Sequence, residues 1–325
     1  MSSMEALFVA ARGADAGLLA ELTALAPDNP FATPAYAAAR QRLGDEPWTL
    51  GVARSGRLVT GCAAFARSGR LQRSLDITSL PELPEPEPFW RGLLALCRRE
   101  RMTQLEVGSF GSRSTTIPSL PGEQSRRQRC EYVLALRADD LSTLLTRDHR
   151  RNVARARKRG LTVRRALDAS ACAAHARVIG ASMQRRHRRG ESVPLDFPDD
   201  EARALVQEGA GELFQALEKD DVLSSMLLLR SPRAGYSQTM GTSAEGMKCG
   251  ASRLVVFEAA LALQADGATH LNLGGAGDEH AGLREFKAGF GAQPVALESA
   301  SFSFAHPVRR MMSRAVRRLR ESLGR

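Results

Sequence analysis

The stretch WTLGVARSGRLVTGCAAFARSGRL, Trp48 to Leu71, decides the fold. Trp48 to Ala53 and Leu58 to Ala66 are apolar runs of strand length, each followed by a turn tetrapeptide, Arg54-Ser-Gly-Arg57 and Arg67-Ser-Gly-Arg70. Short apolar runs bounded by Ser-Gly turns read as an antiparallel meander, with Leu71 to Thr78 as its third strand. Phe89 to Arg101 then reads as a helix, and Thr103 to Val107 as a strand ending in Gly108. Between meander and helix, Leu80 to Pro88 carries Pro81, Pro84, Pro86 and Pro88. Proline lacks the backbone donor and fixes φ, so a stiff polar loop is expected there rather than helix or central strand.

The same order returns later in the chain. Leu213 to Glu218, Val222 to Leu229 and Tyr236 to Thr242 form a second meander, with turns at Lys219-Asp220-Asp221 and Ser231 to Ala234. A helix from Ser252 to Asp266 and a strand from Thr269 to Leu273 follow. Trp48 and Leu213 stand 165 positions apart, Val107 and Leu273 166, and two late strands near Leu134 and Ser299 165. Upstream of each meander come a short strand and two helices. These are Leu7 to Ala11 with helices near Asp15 to Leu25 and Thr33 to Leu43, and Leu161 to Arg165 with helices near Ala169 to Arg189 and Asp199 to Gly209. A meander joined to one helical crossover makes a mixed sheet with helices packed on it. The expected fold is therefore α/β: two tandem halves, each a mixed, mainly antiparallel sheet flanked by helices.

The composition agrees with this. The chain has 325 residues, 43% hydrophobic and 25% charged, within the range of globular proteins of about two domains. No run approaches the ~18 apolar residues that would span a bilayer, and Leu7 to Ala11 is too short for a signal peptide, which points to the cytoplasm. Cys62, Cys97, Cys130, Cys172 and Cys249 are odd in number and widely spaced, so neither a disulfide scaffold nor a zinc site is expected, and no metal. The net charge is +10, yet only Lys158, Lys219, Lys248 and Lys287 among the 46 cations are lysines. An ammonium is a compact donor whose pKa shifts on burial, whereas a guanidinium stays charged.

The densest chemical signal is GASRLVVFE (Gly250 to Glu258), LNLGG (Leu271 to Gly275) and GLREFKAGFG (Gly282 to Gly291). A glycine before a helix exposes backbone N–H groups that suit a phosphate, although alone it marks a plain helix entry equally well. Taken together, these strings and the order of the elements resemble the GNAT-fold acyltransferases of the Fem-like type. The likeness is in particular to the CelD/BioF-like acetyltransferases, which are related to the peptidoglycan-bridge aminoacyltransferases. That group is built from two tandem GNAT-like halves, so the resemblance covers most of the chain. It implies transfer of an acyl or aminoacyl unit onto an amine, from acyl-CoA or aminoacyl-tRNA as co-substrate, with no bound cofactor.

In the family pattern Phe-Lys-x-Gly-Phe-Gly the lysine stands at the active centre, which here is Lys287. Phe286 and Phe290 are one helical turn apart and can be buried while Lys287 faces a cleft, though spacing alone allows an ordinary surface cation. The resemblance places the donor at Lys248, Gly250, Ala251, Ser252, Arg253, Gly274, Gly275 and Phe286. Tyr236, at the start of the third meander strand, is a second catalytic candidate, able to touch the acceptor or a proton. Two departures stand out: Met247 to Ser252 reproduces the GNAT phosphate loop Gln/Arg-x-x-Gly-x-Gly/Ala only in part, and Asn272 stands where many relatives carry aspartate.

The run RDHRRNVARARKR (Arg147 to Arg159) resembles the Arg-Arg-Asn-x-x-Arg-Ala helix of the same family. Nine cations lie between Arg147 and Arg165 against one acid, Asp148. Charges so dense repel unless an anion is near, so Arg150, Arg151 and Asn152 are expected contacts to the acceptor or to a phosphate, with a solvated helix face as the plain alternative. From Pro307 the tail reads as a basic amphipathic helix, suited to dock on its own domain or to lie on anionic lipid or RNA. No histidine stands at hydrolase-triad or metal spacing, and Asp278, Glu279 and His280 read as a polar loop.

The domains expected are 1–137, an N-terminal GNAT-like half; 138–160, a basic connecting helix; 161–305, a C-terminal half with the donor site; and 306–325, the basic helix. The function expected is N-acyl transfer from acyl-CoA to a small-molecule or peptide amine. Aminoacyl-tRNA-dependent transfer is the alternative, and a non-catalytic polyanion binder on the same fold a second. Oligomeric state is not legible.

Overall fold

The computed structural model describes residues 6–69, 72–112, 116–277 and 280–304. In chain order these form β1 (Leu7–Arg12), α1 (Ala16–Leu25), α2 (Pro34–Arg42), β2 (Glu46–Arg54), β3 (Arg57–Ser68), β4 (Arg73–Ile77), α3 (Pro86–Arg99), β5 (Gln104–Gly108) and β6 (Glu123–Ala135). There follow α4 (Arg147–Lys158), β7 (Thr162–Ala166), α5 (Ala169–Arg188), α6 (Asp200–Gln207), β8 (Gly211–Glu218), β9 (Asp221–Arg230) and β10 (Ala234–Thr242). The last are α7 (Ala244–Cys249), α8 (Ala251–Ala265), β11 (His270–Ala276), α9 (Ala281–Ala288) and β12 (Gln293–Ser303). Packing divides the described residues into two compact units: those within 6–25, 44–128 and 297–304, and those within 26–43 and 129–296.

In the first unit β1 to β4 are antiparallel neighbours in chain order, and β4 pairs in parallel with β5 across α3. The buried stripe of α3, Phe89, Trp90, Leu93, Leu96 and Cys97, has helical spacing. It packs with Leu50, Val52, Leu75, Ile77 and Leu105 into one core. This helix begins at Pro86, inside the segment expected to be loop. Its first-turn N–H groups have no intrahelical partner in any case, so proline costs nothing there.

The second unit repeats the plan. β7 to β10 form an antiparallel meander, β10 pairs in parallel with β11 across α8, and the α8 face of Leu254, Val255 and Leu263 packs on Phe214, Leu228 and Leu271. The repeat expected from the sequence is thus present, and each half is a mixed, mainly antiparallel sheet with helices.

The segments exchanged between the halves differ from expectation. Ser299 to Ser303 of β12 pairs with β5 in the first unit, and Cys130 to Ala135 of β6 pairs with β11 in the second. Residues 26–43, which include α2, also pack with the second unit. The boundaries expected at 137 and 161 therefore do not coincide with the packing units, because strand pairing is not encoded in the periodicity from which they were drawn. The helix expected to connect the halves is α4, which packs on α8 within the second unit. The tail at 306–325, and Asp278 and Glu279, lie outside the described residues. No helix among the described residues is long and apolar enough to cross a membrane.

Candidate active site

All the residues of the candidate site belong to the second unit. The parallel register of β10 and β11 runs Ala234 to His270, Gly235 to Leu271 and Tyr236 to Asn272, and ends there. Just beyond, β10 is irregular between Ser237 and Thr239, and β11 loses regular register with β6 between Asn272 and Gly275. Strands that stop pairing turn backbone groups toward whatever enters between them.

Gly274 lies at this point with φ +73°. A β-carbon there would stand 3.2 Å from the Ser237 carbonyl oxygen, 3.8 Å from Lys287 Nζ and 3.9 Å from the Tyr236 hydroxyl. A side chain would fill the space on which these three groups converge, and the left-handed backbone resists one.

Lys287, on α9, is only 6% exposed. Its ammonium donates to the carbonyls of Gly274 and Gly275, both at 2.7 Å. Two of its three protons are thereby fixed in direction, which leaves one to offer to a further acceptor. Burial pushes the Lys287 pKa down to about 8, and the Glu131 carboxylate opposes that fall. Phe286 and Phe290 flank the lysine with rings 5.2 Å apart, and both rings pack against His149. His149 Nε2 lies 2.8 Å from the Phe286 carbonyl, which ties α4 to α9. Burial lowers the His149 pKa.

Tyr236 donates its hydroxyl to Glu131 Oε1 at 2.7 Å, and Asn272 Nδ2 donates to Glu131 Oε2 at 2.8 Å. The Asn272 side-chain oxygen accepts the N–H of Gly274 at 2.8 Å. Burial first, and the Glu131 charge second, raise the Tyr236 pKa well above its usual value, so it remains a phenol. Phe31 meets the Tyr236 ring edge-on at 4.9 Å and Tyr36 packs behind it. Segment 26–43 thus supplies the aromatic ring that packs on Tyr236.

The expected donor residues divide. Gly274, Gly275, Lys287 and Tyr236 come together as described. Gly250, φ +82°, links α7 to α8, and a β-carbon there would sit 2.7 Å from the Asn152 carbonyl, so α4 presses directly on this junction. Ala251 and Ser252 are buried in the first turn of α8. Arg253 reaches Asp148 of α4 at 3.3 Å and lies over the Phe286 ring at 5.7 Å. Lys248 points outward, paired with Glu245 at 3.3 Å.

Of the α4 residues, Arg150 and Arg151 are both exposed, and the Arg150 guanidinium donates to the Leu145 carbonyl at 3.1 Å. The Asn152 side chain donates to the Asp148 carbonyl at 2.8 Å and accepts from Arg155, so it is occupied within its own helix. Arg157 and Arg159 are paired with Glu258 and with Glu218 and Glu245.

Glu131, Phe31 and His149 were not among the expected site residues. Glu131 had a signal: a carboxylate inside the apolar run Cys130 to Leu136 is a charge in a strand that must be buried. A second buried network is separate from the lysine. His175 contacts Ser225 and Thr239 hydroxyls at 2.9 Å each, and burial drives its pKa down to about 4. Among the described residues no cluster of three His, Cys, Asp or Glu could hold a metal ion.

Comparison with known proteins bears on the fold that carries these residues. Residues 146–288 match the acetyltransferase (GNAT) domain. The crystal structure of FemX is similar with a TM-score of 0.65 at 15% identity, over 90% of this chain and 98% of that one. A tandem GNAT protein from the clavulanic acid biosynthesis pathway is similar at 0.55 and 11% identity, over 93% of this chain and 99% of that one. The C-terminal domain of a putative lysylphosphatidylglycerol synthetase from Agrobacterium fabrum is similar at 0.54 and 14% identity, over 93% and 96%. No curated protein matches the sequence. The fold is that of tandem GNAT proteins, as expected from the sequence, and residues 146–288 carry its GNAT domain.

Proposed function

We propose that this GNAT-fold chain transfers an acyl group from an activated carboxyl derivative to an amine, with Lys287 binding the carbonyl oxygen as negative charge develops on it. The observation that carries this is a buried ammonium held by two backbone carbonyls where β10 and β11 part, with one proton to spare. Acyl transfer requires alignment of the amine with the donor carbonyl and a preorganised donor for the tetrahedral oxyanion. A lysine whose direction is fixed before substrate arrives meets the second requirement. Tyr236, whose hydroxyl borders the same space, is the proposed group for the proton that the attacking amine loses.

Acyl-CoA is the donor favoured, because the matched domain is an acetyltransferase domain. Aminoacyl-tRNA is the alternative: the exposed cations of α4 suit a polyanion, and a lysylphosphatidylglycerol synthetase domain is among the similar structures. In either case Gly250, Ala251, Ser252 and Arg253 at the start of α8 are the proposed phosphate contacts, joined by Arg151 of α4.

The test is transfer of radiolabel from acetyl-CoA and, separately, from aminoacyl-tRNA to a panel of primary amines, with the thermal midpoint followed against each donor. A donor at a hundredfold excess over its Kd stabilises the native state by about 2.7 kcal/mol. The Lys287→Ala variant should bind the productive donor and fail to turn it over. A chain that neither transfers nor is stabilised by either donor is not an acyltransferase. One stabilised by polyanions regardless of Lys287 is a binder.

A further inference from the structure

Glu131 is 1% exposed and sits on β6, between β10 and β11 in its hydrogen bonding. Asn272 donates to one carboxylate oxygen and Tyr236 to the other. Because Asn272 also holds the Gly274 N–H, its amide cannot turn over without losing a bond, so it keeps one oxygen of Glu131 and leaves the other to the tyrosine. A carboxylate so deep is costly unless ionically and hydrogen-bond paired, and apolar residues of the same volume serve a core as well or better. Its retention beside Lys287 and Tyr236 therefore needs a reason beyond packing.

We propose that Glu131 receives, through the Tyr236 hydroxyl, the proton that the acceptor amine loses in acyl transfer. This role rests on the acyltransferase reading above. The amine nitrogen bonds to the donor carbonyl carbon as the π pair moves to the oxygen beside Lys287. The nitrogen's proton goes to the Tyr236 oxygen while the hydroxyl proton of Tyr236 passes to Glu131 Oε1. When the adduct collapses, the C=O bond re-forms and the bond from carbon to the leaving sulfur or oxygen breaks with its electron pair. The proton returns from Glu131 by the same hydroxyl to that leaving atom. Glu131 ends ionised and Tyr236 a phenol, so no outside base is consumed. Glu131 touches no reacting atom and is a positioning and proton-holding residue behind Tyr236. Besides Glu131, Tyr36 of α2 and Arg129 of β6 act electrostatically on Tyr236, and Lys287 of α9 is the cation on which Glu131 acts.

Four variants test the proposal in the radiolabelled acetyl-CoA and amine assay, with aminoacyl-tRNA as second donor: Glu131→Gln, Tyr236→Phe, their combination, and Glu131→Gln with Asn272→Asp. The last restores the hydrogen bond between the two positions with its direction reversed and moves the carboxylate off the tyrosine. Expected is a fall in kcat of about 10²- to 10⁴-fold for Glu131→Gln, the usual range for a lost acid–base function, with KM for the donor little changed. Tyr236→Phe should add nothing to Glu131→Gln, and Asn272→Asp should not rescue. Wild-type kcat in Glu131→Gln, or rescue by Asn272→Asp, makes Glu131 a scaffold residue and overturns the proposal alone. A wild-type chain inert with both donors overturns the acyltransferase reading and this proposal with it.

Discussion

Replacing Lys287 by methionine, which has a similar length and no charge, should change stability in a pH-dependent way whose size follows from the site. The native lysine titrates at about 8 against an ordinary 10.5. At 1.36 kcal/mol for each factor of ten, burying the ammonium costs the fold about 3 kcal/mol. Below pH 8 native and unfolded chains both carry the charge, and the native chain bears the whole cost. Between 8 and 10.5 the unfolded chain binds a proton that the native one has released, so wild-type stability rises with pH through this window and the cost is gone above it. Methionine removes the cost at every pH but strands the Gly274 and Gly275 carbonyls, a loss of about 1–3 kcal/mol that does not vary with pH. At pH 7 the variant should therefore be as stable as the wild type or more so, and at pH 10 less stable. The difference between them should swing by about 2–3 kcal/mol, while turnover falls at both pH values. Urea unfolding followed by far-ultraviolet circular dichroism at the two pH values measures the swing. A variant-minus-wild-type difference that stays flat from pH 7 to 10 refutes a buried ammonium at this site, and with it the electrostatic role given to the lysine.

Gly250→Ala should destabilise by about 1–3 kcal/mol, since φ is +82° and the new methyl would meet the Asn152 carbonyl at 2.7 Å. Donor affinity should fall with it, because α4 must withdraw from the start of α8; thermal midpoints with and without donor check both. His175 titrates at about 4 rather than 6.5, so the unfolded chain binds the extra proton between these values and stability is lost as pH falls through that window. The His175→Gln variant should lack this component, about 3 kcal/mol, in urea titrations between pH 7 and 4. Phe31→Ala should lower kcat without abolishing donor binding, by loosening the Tyr236 ring; kinetics beside calorimetric titration with the donor decide it.

The doubled meander was legible because its turns are local and its strands alternate with them: Arg54 to Arg57 and Lys219 to Asp221 announce themselves within a few residues. The crossover helices α3 and α8 were equally local. The partners of β6 and β12 were not, since an edge can accept any strand of suitable length, and nothing in Cys130 to Ala135 names β11. Lys287 stood out by its rarity and by the resemblance around it, while its burial and two carbonyl contacts needed the fold. Glu131 escaped because its partners Tyr236 and Asn272 lie 105 and 141 positions away. A gap of 205 positions likewise hides the contact of Phe31 with Tyr236.

The strand exchange imposes an order on biosynthesis. Gly108 at the end of β5 pairs with Ser299, the first of the β12 residues to reach it, 191 positions later. At ~5–20 residues per second on the ribosome, the nascent first sheet waits roughly 10–40 s for that strand. Throughout the wait β5 exposes an unpaired backbone edge, the kind of surface on which chains cross-associate. Nascent chains stalled before residue 297 should therefore recruit chaperones until translation resumes, however stable the finished protein is.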